Sequence, residues 1–385
     1  MTLSNRYPSV ADLARKAKRR MPHFAWEYLD SGTGAERLVD ENRSALDAIR
    51  FVPDFCKGAI EPVLETELFG KTYSAPFGIA PVGMSGLMWP GAELILARAA
   101  RDRNIPYCLS TVACETPEEV APLTGGNAWF QLYPPPDAQI RKDLVGRAWS
   151  AGITTLVVTI DVPIGSRRER QLRAGLTVPP RITPLTLWHV AKRPVWALAT
   201  LVHGQPRFRT LTPYFDASEF KSAGTPVGRI VGGRPDWSMI EEIRSLWQGT
   251  LIVKGVMSRG DAERSVACGA DGLVVSNHGG RQFDGGPSAI SLVPGIREQV
   301  GDRCKILFDS GIRGGLDVVR ALSMGADFCL LGRAFLYGVA ALGARGAAHT
   351  YDVLREDLRN NMIQLGAGSI ADLKNQTRWH MEEKA

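Results

Sequence analysis

Eight short apolar runs, spread over residues 77–334, constrain the fold of this 385-residue chain more than any other feature. The runs are FGIAPVGM (77–84), IPYCLST (105–111), AWFQLY (128–133), TLVVTIDV (155–162), LIVKGV (251–256), GLVVSNH (272–278), KILFDSG (305–311) and FCLLGRA (328–334). Because they are brief and nearly all apolar, they are typical of strands buried on both faces of a parallel sheet. Segments with helical periodicity separate them. The alternation predicts an α/β protein of the (β/α)8 TIM-barrel type, with an open doubly wound sheet as the alternative.

Three parts of the chain lie outside this alternation. Residues 1–50 have the pattern of helices, with Ser9 as the expected cap of the first one, and residues 346–385 are expected to form C-terminal helices. Residues 163–235 are a long insertion after the fourth strand, and such a length without regular structure indicates a lid, a binding loop or disorder. We therefore expect one domain over the whole chain, in which the barrel spans residues 77–345.

Composition is that of a folded globular protein, because 44% of the residues are hydrophobic and 22% are charged. The six cysteines have neither the CxxC nor the His-interleaved spacing of a metal site, so we expect no metal and a reducing environment. No apolar segment follows the N-terminal charges as in a signal peptide, and the longest apolar stretch, Ala334 to Ala344, is too short to span a bilayer. We expect a cytoplasmic protein, soluble or peripheral to a membrane.

Polar side chains stand where the predicted strands end, which is where (β/α)8 enzymes carry out their chemistry. The fourth strand ends near Asp161, the fifth carries Lys254 and the sixth ends at His278. An imidazole titrates near neutrality, so His278 is the best candidate for a general base, and Asp161 could hold its second nitrogen. Arg281 offers a bidentate fork for a substrate carboxylate, with Arg168 as a second cation.

Six motifs on these strands resemble the FMN-dependent 2-hydroxy-acid dehydrogenase family, which includes glycolate oxidase, bacterial L-lactate dehydrogenase and mandelate dehydrogenase. They are SNHGGRQ (276–282), LVVTIDVP (156–163), WFQLY (129–133), VKG (253–255), DSGIRGG (309–315) and LLGRAFLYG (330–338). The resemblance implies oxidation of a lactate-like or mandelate-like L-2-hydroxy acid to the 2-keto acid, with FMN as the cofactor. Hydride and carbanion routes both remain open. It also implies a homotetramer, and a membrane quinone or another carrier as the electron acceptor.

The resemblance assigns roles to further residues. Tyr28 and Tyr133 match the family's two active-site tyrosines, which contact the substrate carboxylate and the reacting oxygen. Lys254 would lie beside the flavin, since a buried ammonium needs an anionic partner. The other residues expected to bind FMN are the backbone of Pro81, Val82 and Gly83, the side chains of Ser110, Gln131, Thr159, Ser276 and Asp309, and, around the phosphate, Gly311, Arg313, Gly332 and Arg333.

Two positions set this chain apart from the oxidases of the family. Gly83 stands where the oxidases usually carry alanine beside the flavin, and Val112 where glycolate oxidase carries tryptophan, so the pocket should be roomier. The stretch GMSGLMWP (83–90) is also more similar to the mandelate and lactate dehydrogenases than to glycolate oxidase. A dehydrogenase is therefore favoured, and an oxygen-reducing oxidase that forms hydrogen peroxide is the alternative.

The insertion carries a strong positive charge. Between Arg170 and Phe215 it has seven basic residues and no acidic residue, whereas the net charge of the whole chain is +6. The seven are Arg170, Arg173, Arg181, Lys192, Arg193, Arg207 and Arg209. Because Trp188, Trp196 and aliphatic residues lie among them, we expect contact with an anionic membrane at the inner face of the cell membrane; a solvated or partner-bound lid is the alternative. Nucleic acid is not expected, since no nucleic-acid-binding fold accompanies the charge.

Two other classes of protein stay open. A different FMN- or phosphate-binding barrel, such as a type 2 isopentenyl-diphosphate isomerase, would not call for both Arg168 and Arg281. A non-catalytic flavin-binding or membrane scaffold would not call for the full set of polar strand ends.

Overall fold

The computed structural model describes residues 2–176, 183–214 and 233–378, in which eight parallel strands close into a barrel. The strands are β1 (Thr66–Leu68), β2 (Lys71–Tyr73), β3 (Phe77–Ile79), β4 (Tyr107–Ser110), β5 (Ala128–Leu132), β6 (Thr155–Thr159), β7 (Thr250–Val256), β8 (Gly272–Val275), β9 (Lys305–Phe308) and β10 (Phe328–Leu331). Strands β3 to β10 follow one another around the barrel, and β1 and β2 form a separate antiparallel hairpin. The predicted barrel is confirmed, and the open sheet was wrong because β10 pairs with both β9 and β3.

The barrel strands are buried along nearly their whole length, which explains why their sequences are continuously apolar and not alternating. Alternate side chains, such as Trp129, Val157 and Ile252, fill the barrel interior. The hairpin closes the end at which the strands begin, because the Phe69 and Tyr73 rings pack edge-on against Trp129. The other end of the barrel, where the strands finish, holds the candidate site described below.

Helices surround the barrel, and further helices precede and follow it in the chain. They are α1 (Leu3–Arg6), α2 (Val10–Arg20), α3 (His23–Asp30), α4 (Arg37–Asp47), α5 (Ser85–Met88), α6 (Ala92–Asp102), α7 (Pro117–Val120), α8 (Ala138–Ser150), α9 (Glu169–Arg173), α10 (Pro184–Ala191), α11 (Pro194–His203), α12 (Trp237–Leu246), α13 (Arg259–Ala267), α14 (Ala289–Val300), α15 (Gly315–Ser323), α16 (Arg333–Leu342) and α17 (Gly346–Gln364). Short 3-10 helices lie at Ala121–Thr124, Thr212–Tyr214, Gly343–Arg345 and Ala371–Asn375. Ser9 caps α2, where its Oγ accepts from Asp12 N (3.2 Å), and not the first helix as predicted, because the four-residue α1 precedes it.

The described part of the insertion after β6 is not the structureless segment that its length suggested. It contains α9, α10 and α11. Thr183 caps α10 through Thr186 N (3.1 Å), and Pro184 and Pro194 each take the first position of a helix, where a missing N–H costs nothing. The sequence did not indicate these helices because α10 and α11 are apolar around much of their circumference and lack a clear amphipathic period.

Some predictions fall outside the described residues. Residues 177–182 and 215–232 of the insertion, with Arg181 and Phe215, are among these, as are residues 379–385 of the expected C-terminal helices. In the part of the chain that the structure covers, no helix is both long enough and apolar enough to cross a membrane.

The N-terminal helices lie over the barrel end where the strands finish. Asn42 and Asn277 exchange side-chain amide hydrogen bonds of 2.9 and 2.7 Å, which join α4 to the loop after β8. Asp284 in the same loop accepts from the backbone N–H groups of Ala35 and Leu38, both at 2.9 Å. These contacts fix α4 and the loop before it, which follows α3 and its Tyr28.

The insertion is tied to the same helices by one arginine. Arg170 in α9 forms ion pairs with Glu27 (2.5 Å), Glu36 (2.9 Å) and Asp30 (3.0 Å). Three carboxylates around one guanidinium, all partly buried, hold α9 against α3 more firmly than an exposed pair would. The start of the insertion is therefore part of the barrel's rim.

Candidate active site

A cavity of about 630 Å³ lies where the barrel strands finish. The barrel, the N-terminal helices and the insertion all contribute to its lining, for example through Lys254, Tyr28 and Phe208. The predicted site residues that line it are Tyr28, Pro81, Val82, Gly83, Tyr133, Arg168, Lys254, His278, Arg281, Asp309, Gly311, Arg313, Gly332 and Arg333. The structure thus gathers most of the predicted site residues around one cavity.

Five predicted residues are not part of this lining: Ser110, Gln131, Thr159 and Ser276 are buried, and the Asp161 side chain is 12% exposed. Side chains of a strand alternate, so a residue two positions after an interior apolar side chain also faces the interior, as Gln131 does after Trp129. Ser110 Oγ donates to Gln131 Oε1 (2.8 Å), and Gln131 Nε2 donates to Thr159 Oγ1 (2.9 Å). The result is a buried, hydrogen-bonded polar layer between the apolar barrel core and the cavity.

His278 is positioned from both sides of its ring. Its Nδ1 lies 3.0 Å from Asp161 Oδ1, and its Nε2 lies 3.4 Å from the Tyr133 hydroxyl. The residue adopts a left-handed conformation (φ 57°), which is uncommon outside glycine, and Ser276 Oγ accepts from its backbone N–H (3.1 Å). Nδ1 can thus donate to Asp161 while Nε2 faces the cavity as an acceptor.

Burial and charge set the protonation of this pair in opposite ways. Burial lowers the pKa of His278, although the neighbouring Asp161 charge partly opposes this effect. Burial by itself would raise the pKa of Asp161, but His278 and Lys254 outweigh it and hold that pKa below its usual value. The geometry and charges suit a neutral imidazole beside an ionised carboxylate, which is the resting state that a general base needs.

Lys254 is 4% exposed and carries its charge in the polar layer. Its Nζ lies 3.2 Å from Asp309 Oδ2 and donates to Ser276 Oγ (2.9 Å). Burial alone would lower the pKa of Lys254, but Asp309 and Asp161 raise it above its ordinary value. The lysine therefore stays protonated, and it remains on the cavity lining, where it can face a second anionic group.

Four arginines of the cavity lack an acidic partner among the described residues. Arg281 Nη1 donates to Ser31 O (2.7 Å), and Arg168 donates to the Ser166 hydroxyl (3.0 Å) and to a Gln side chain. Arg333 donates to three backbone carbonyls, each at 3.0 Å. Arg313 donates to a carbonyl at 2.8 Å. Burial, with repulsion from Arg168 and Arg333, drives the pKa of Arg281 well below its usual range. Such a site has a strong preference for anions.

Two tyrosines complete the polar part of the cavity. The Tyr28 hydroxyl donates to Gly83 O (3.3 Å), and the Arg281 guanidinium lies 5.5 Å from the centre of the Tyr28 ring. Burial, together with the charge of Asp161, raises the pKa of Tyr133 to about 12, so its hydroxyl keeps its proton. The Tyr133 hydroxyl can therefore donate to an oxygen of a bound molecule, and the Tyr28 hydroxyl can do so in place of its bond to Gly83 O.

The cavity fits a flavin mononucleotide by chemistry as well as by size. Glycines leave backbone exposed on its wall: Gly311 has a φ of 102°, and a Cβ added at Gly332 would lie 3.0 Å from Val82 Cγ2. Backbone N–H groups without side chains, beside Arg313 and Arg333, are a typical phosphate position at the end of a barrel. The four arginines without acidic partners also match a ligand set with more than one anionic group, such as a phosphate and a substrate carboxylate.

Sequence reasoning missed an apolar part of the lining. Leu172, Leu176 and Phe208 come from the insertion, and Met84 lies next to the predicted Gly83. Met84 could have been predicted to line the cavity, because it lies in the loop after β3, the first strand of the barrel. The insertion residues carried no signal, because nothing in their spacing shows that a segment so far along the chain folds back onto the cavity.

Comparisons with known proteins agree with this geometry. A family model described as FMN-dependent dehydrogenase matches residues 17–380. The L-lactate dehydrogenase of Stenotrophomonas maltophilia (strain K279a) is 39% identical over 372 residues, which cover 94% of this chain and 96% of that protein. The L-lactate dehydrogenase of Vibrio parahaemolyticus is 37% identical over 369 residues, with 94% and 96% covered.

Solved structures are similar over the same length. The crystal structure of the monotopic membrane protein (S)-mandelate dehydrogenase has 34% sequence identity and a TM-score of 0.89, covering 95% of this chain and 97% of that one. Mandelate oxidase with benzoyl-formic acid has 32% identity and a TM-score of 0.82, covering 97% and 98%. The resemblance drawn from six motifs is thereby confirmed, and FMN is the cofactor. The chain belongs to the FMN-dependent dehydrogenase family.

Proposed function

We propose that this FMN-dependent enzyme, which oxidises L-2-hydroxy acids to 2-keto acids, uses His278 as its general base and passes the electrons to a membrane quinone. The matched relatives are named L-lactate dehydrogenases, and the similar structures are mandelate enzymes. Lactate-like and mandelate-like acids are therefore the proposed substrates.

His278 removes the proton of the substrate's 2-hydroxyl group. Support comes from the imidazole's two partners, because Asp161 occupies Nδ1 and leaves Nε2 on the cavity side. As the proton arrives, the imidazolium that forms gains the adjacent Asp161 charge. A positioned base of this kind contributes about 10²–10⁴ to the rate. Tyr133, which lies 3.4 Å from Nε2, can donate to the same substrate oxygen and keep it oriented.

Arg281 and Arg168 bind the substrate carboxylate. Neither has an acidic partner in the described ranges, so a carboxylate would relieve the repulsion between them. A guanidinium offers two parallel N–H donors, which fix the plane of the carboxylate and thereby the direction of the α-carbon. Tyr28, stacked near Arg281, adds a hydroxyl to the same part of the cavity.

Bound FMN would supply the two-electron acceptor for oxidation at the substrate's α-carbon. Lys254 and the glycine-lined backbone at Pro81–Gly83 would face its ring system, and Arg313 and Arg333 its phosphate. The layer of Ser110, Gln131, Thr159 and Ser276 supports Lys254 from below and keeps the ring side of the cavity polar. Arg333 keeps two of its five N–H donors for a ligand, because three already bind backbone carbonyls.

One observation favours this chemistry above the others: a carboxylate-supported imidazole shares a cavity with arginines that no carboxylate of the described residues neutralises. The test is anaerobic mixing of the purified holoenzyme with a panel of L-2-hydroxy acids and their D-enantiomers. The visible absorbance of the oxidised flavin should bleach with at least one L-acid and with none of the D-acids. Absence of bleaching with every L-acid would contradict the proposal and favour a non-catalytic flavin protein.

The acceptor is proposed to be a quinone and not dioxygen. Gly83 supports this, since the resemblance places alanine there in the oxidases, and a Cβ at this position would lie 2.5 Å from Val112 Cγ2. In turnover with substrate, a soluble quinone analogue should be reduced much faster than oxygen is consumed. Stoichiometric hydrogen peroxide would instead identify an oxidase.

We propose a peripheral membrane location for the insertion. Its described helices expose Leu187, Trp188, Val195, Leu198, Leu201 and Val202, while Trp196 anchors α11 to the body by donating to Leu87 O (3.2 Å). Lys192 lies 4.2 Å from the Trp188 ring, so cationic and apolar groups share one surface, as membrane-interface helices require. One similar structure is described as a monotopic membrane protein.

The resemblance alone leads us to expect a homotetramer. Light scattering of the detergent-free enzyme would measure its molar mass, which should be four times that of one chain.

A further inference from the structure

The insertion reaches the cavity on both sides of its exposed helices. Leu172 and Leu176 line the cavity before α10, and Phe208 lines it after α11. With Met84 and Val112 they form one apolar part of the lining, to which barrel residues such as Leu330 and Leu331 also belong, whereas arginines and Lys254 form the cationic part. A 2-hydroxy acid has the same two characters, a carboxylate at one end and a side chain at the other.

Phe208 is followed at once by residues that fasten it to the barrel. Arg209 forms ion pairs with Glu115 and Glu119, which belong to the loop after β4 and to α7. The Thr210 hydroxyl donates to Glu115 O (3.1 Å), and Arg147 of α8 donates to Thr210 O (2.9 Å). The backbone on the C-terminal side of Phe208 is therefore held by three separate elements.

The contrast with the preceding residues is sharp. Thr210 and Leu211 are fully buried, whereas Leu201 and Val202 at the end of α11 are 80% and 81% exposed. The insertion thus returns from the surface to the body at Phe208 itself. The ring is half-buried, packed on the core on one side and facing the cavity on the other. An aromatic ring in this position can cover an apolar group inside the cavity.

We propose that Phe208 contacts the side chain of the bound 2-hydroxy acid and determines which acids the enzyme prefers, and that Arg209 is the positioning residue that holds Phe208 there. This inference rests on the proposed function, because it names the part of the same cavity that receives the substrate's side chain. A long or aromatic side chain extends further from the reacting carbon than a methyl group, so it is the part of the substrate that can reach Phe208.

The test is a comparison of kcat/KM for L-2-hydroxy acids of increasing side-chain size, from L-lactate through L-2-hydroxyisocaproate to (S)-mandelate. Phe208→Ala should lower kcat/KM about tenfold to hundredfold for the larger acids and less than about threefold for L-lactate, which is the range for loss of one apolar contact. For the larger acids, kcat/KM of Phe208→Leu should lie between the values for Phe208→Ala and for the wild type. FMN content should stay unchanged in both variants.

Arg209→Gln should act in the same direction through a higher KM for the larger acids, with kcat nearly constant. Arg209→Lys should recover much of the loss, because it keeps the charge between Glu115 and Glu119. The matched control is Arg259→Gln, which breaks a comparable exposed pair with Glu298 (2.6 Å) away from the cavity and should leave the substrate ratio as it is. Arg259→Gln also accounts for any general effect of losing one surface charge.

Two results would overturn the inference. Equal losses for small and large acids would make Phe208 a general structural residue, and a gain with the larger acids would make it a barrier and not a contact. If the wild type reduces its flavin with none of these acids, the proposed function fails instead. If the wild type uses them and Phe208→Ala keeps the wild-type ratio, only the role of Phe208 fails.

Discussion

The polar layer at the end of the barrel and the insertion above it each place residues in surroundings opposite to those that their chemistry favours. In the layer, charged Lys254 and Asp309 are buried and paired at 3.2 Å. In the insertion, aliphatic Leu201 and Val202 stand in solvent. Burying charge and exposing apolar surface both cost free energy, so each arrangement indicates a ligand that compensates it. For the layer the ligand is the flavin with its substrate, and for the insertion we propose a lipid surface.

The largest expected effect comes from the general base next to the polar layer. His278→Gln should bind FMN normally but lose flavin reduction by substrate by about 10²–10⁴ or more, since the amide cannot accept the hydroxyl proton at a useful rate. Stopped-flow bleaching under anaerobic conditions measures it. A near-normal rate in this variant would show that His278 is not the general base. The proposed chemistry would then no longer distinguish the barrel end from the insertion.

The pH profile sharpens the same point. Because burial lowers the pKa of His278 below its ordinary value of about 6.5, the neutral base should persist below that pH, and the acidic limb of kcat/KM should lie lower too. Asp161 opposes this shift, so Asp161→Asn should move the limb to still lower pH while decreasing kcat. Measuring kcat/KM of the wild type and of Asp161→Asn between about pH 5 and 8 tests this expectation. A limb that moves to higher pH in the variant would contradict the assigned pair.

The sequence predicted the layer better than the insertion for a physical reason. Lys254 lies in β7 and His278 lies shortly after β8, and both strands are recognisable from their local apolar runs. Closing the barrel then brings the two residues to the same end. Phe208 and Leu176 depend on how a long segment folds back, which rests on distant contacts such as Arg209 with Glu115. The helices in the described part of the insertion were not predicted either.

Ser110, Gln131 and Thr159 illustrate a finer limit. Their places near the flavin were predicted by resemblance, but whether each lines the cavity or lies under it depends on the alternation within its strand and on the barrel's register. The structure puts all three one layer below the lining, joined by hydrogen bonds. Their direct contact with FMN stays a prediction.

A moderate effect is expected from Arg281→Lys. The charge is kept, but the fork that can hold a carboxylate through two N–H groups is lost, so KM should rise by about tenfold or more while FMN stays bound. The matched comparison is Arg333→Lys, whose guanidinium already binds three carbonyls and should affect FMN content more than KM. If Arg281→Lys releases flavin and leaves KM unchanged, the two arginines have been assigned the wrong anions.

The smallest effect on catalysis, and the sharpest contrast with the layer, is expected from the exposed face of the insertion. Leu201→Ser combined with Val202→Ser should change kcat/KM for soluble substrates less than about twofold, because both side chains point away from the body. The same double variant should bind anionic liposomes about tenfold or more weakly, since each buried CH₂ contributes about 0.8 kcal/mol. Co-sedimentation with vesicles measures the binding.

The control for this experiment is Phe55→Ser, which removes another exposed apolar side chain from a different segment and should leave vesicle binding unaltered. Binding of the wild type should also increase with the fraction of anionic lipid and fall with salt, because the attraction of exposed lysines and arginines is screened within about 10 Å at 0.1 M. If the wild type ignores anionic vesicles at low salt, or if the double variant binds as the wild type does, the insertion is a lid or a protein-binding surface. Its exposed leucines and valines would then need a protein partner to cover them, while the barrel site would keep the chemistry assigned to it.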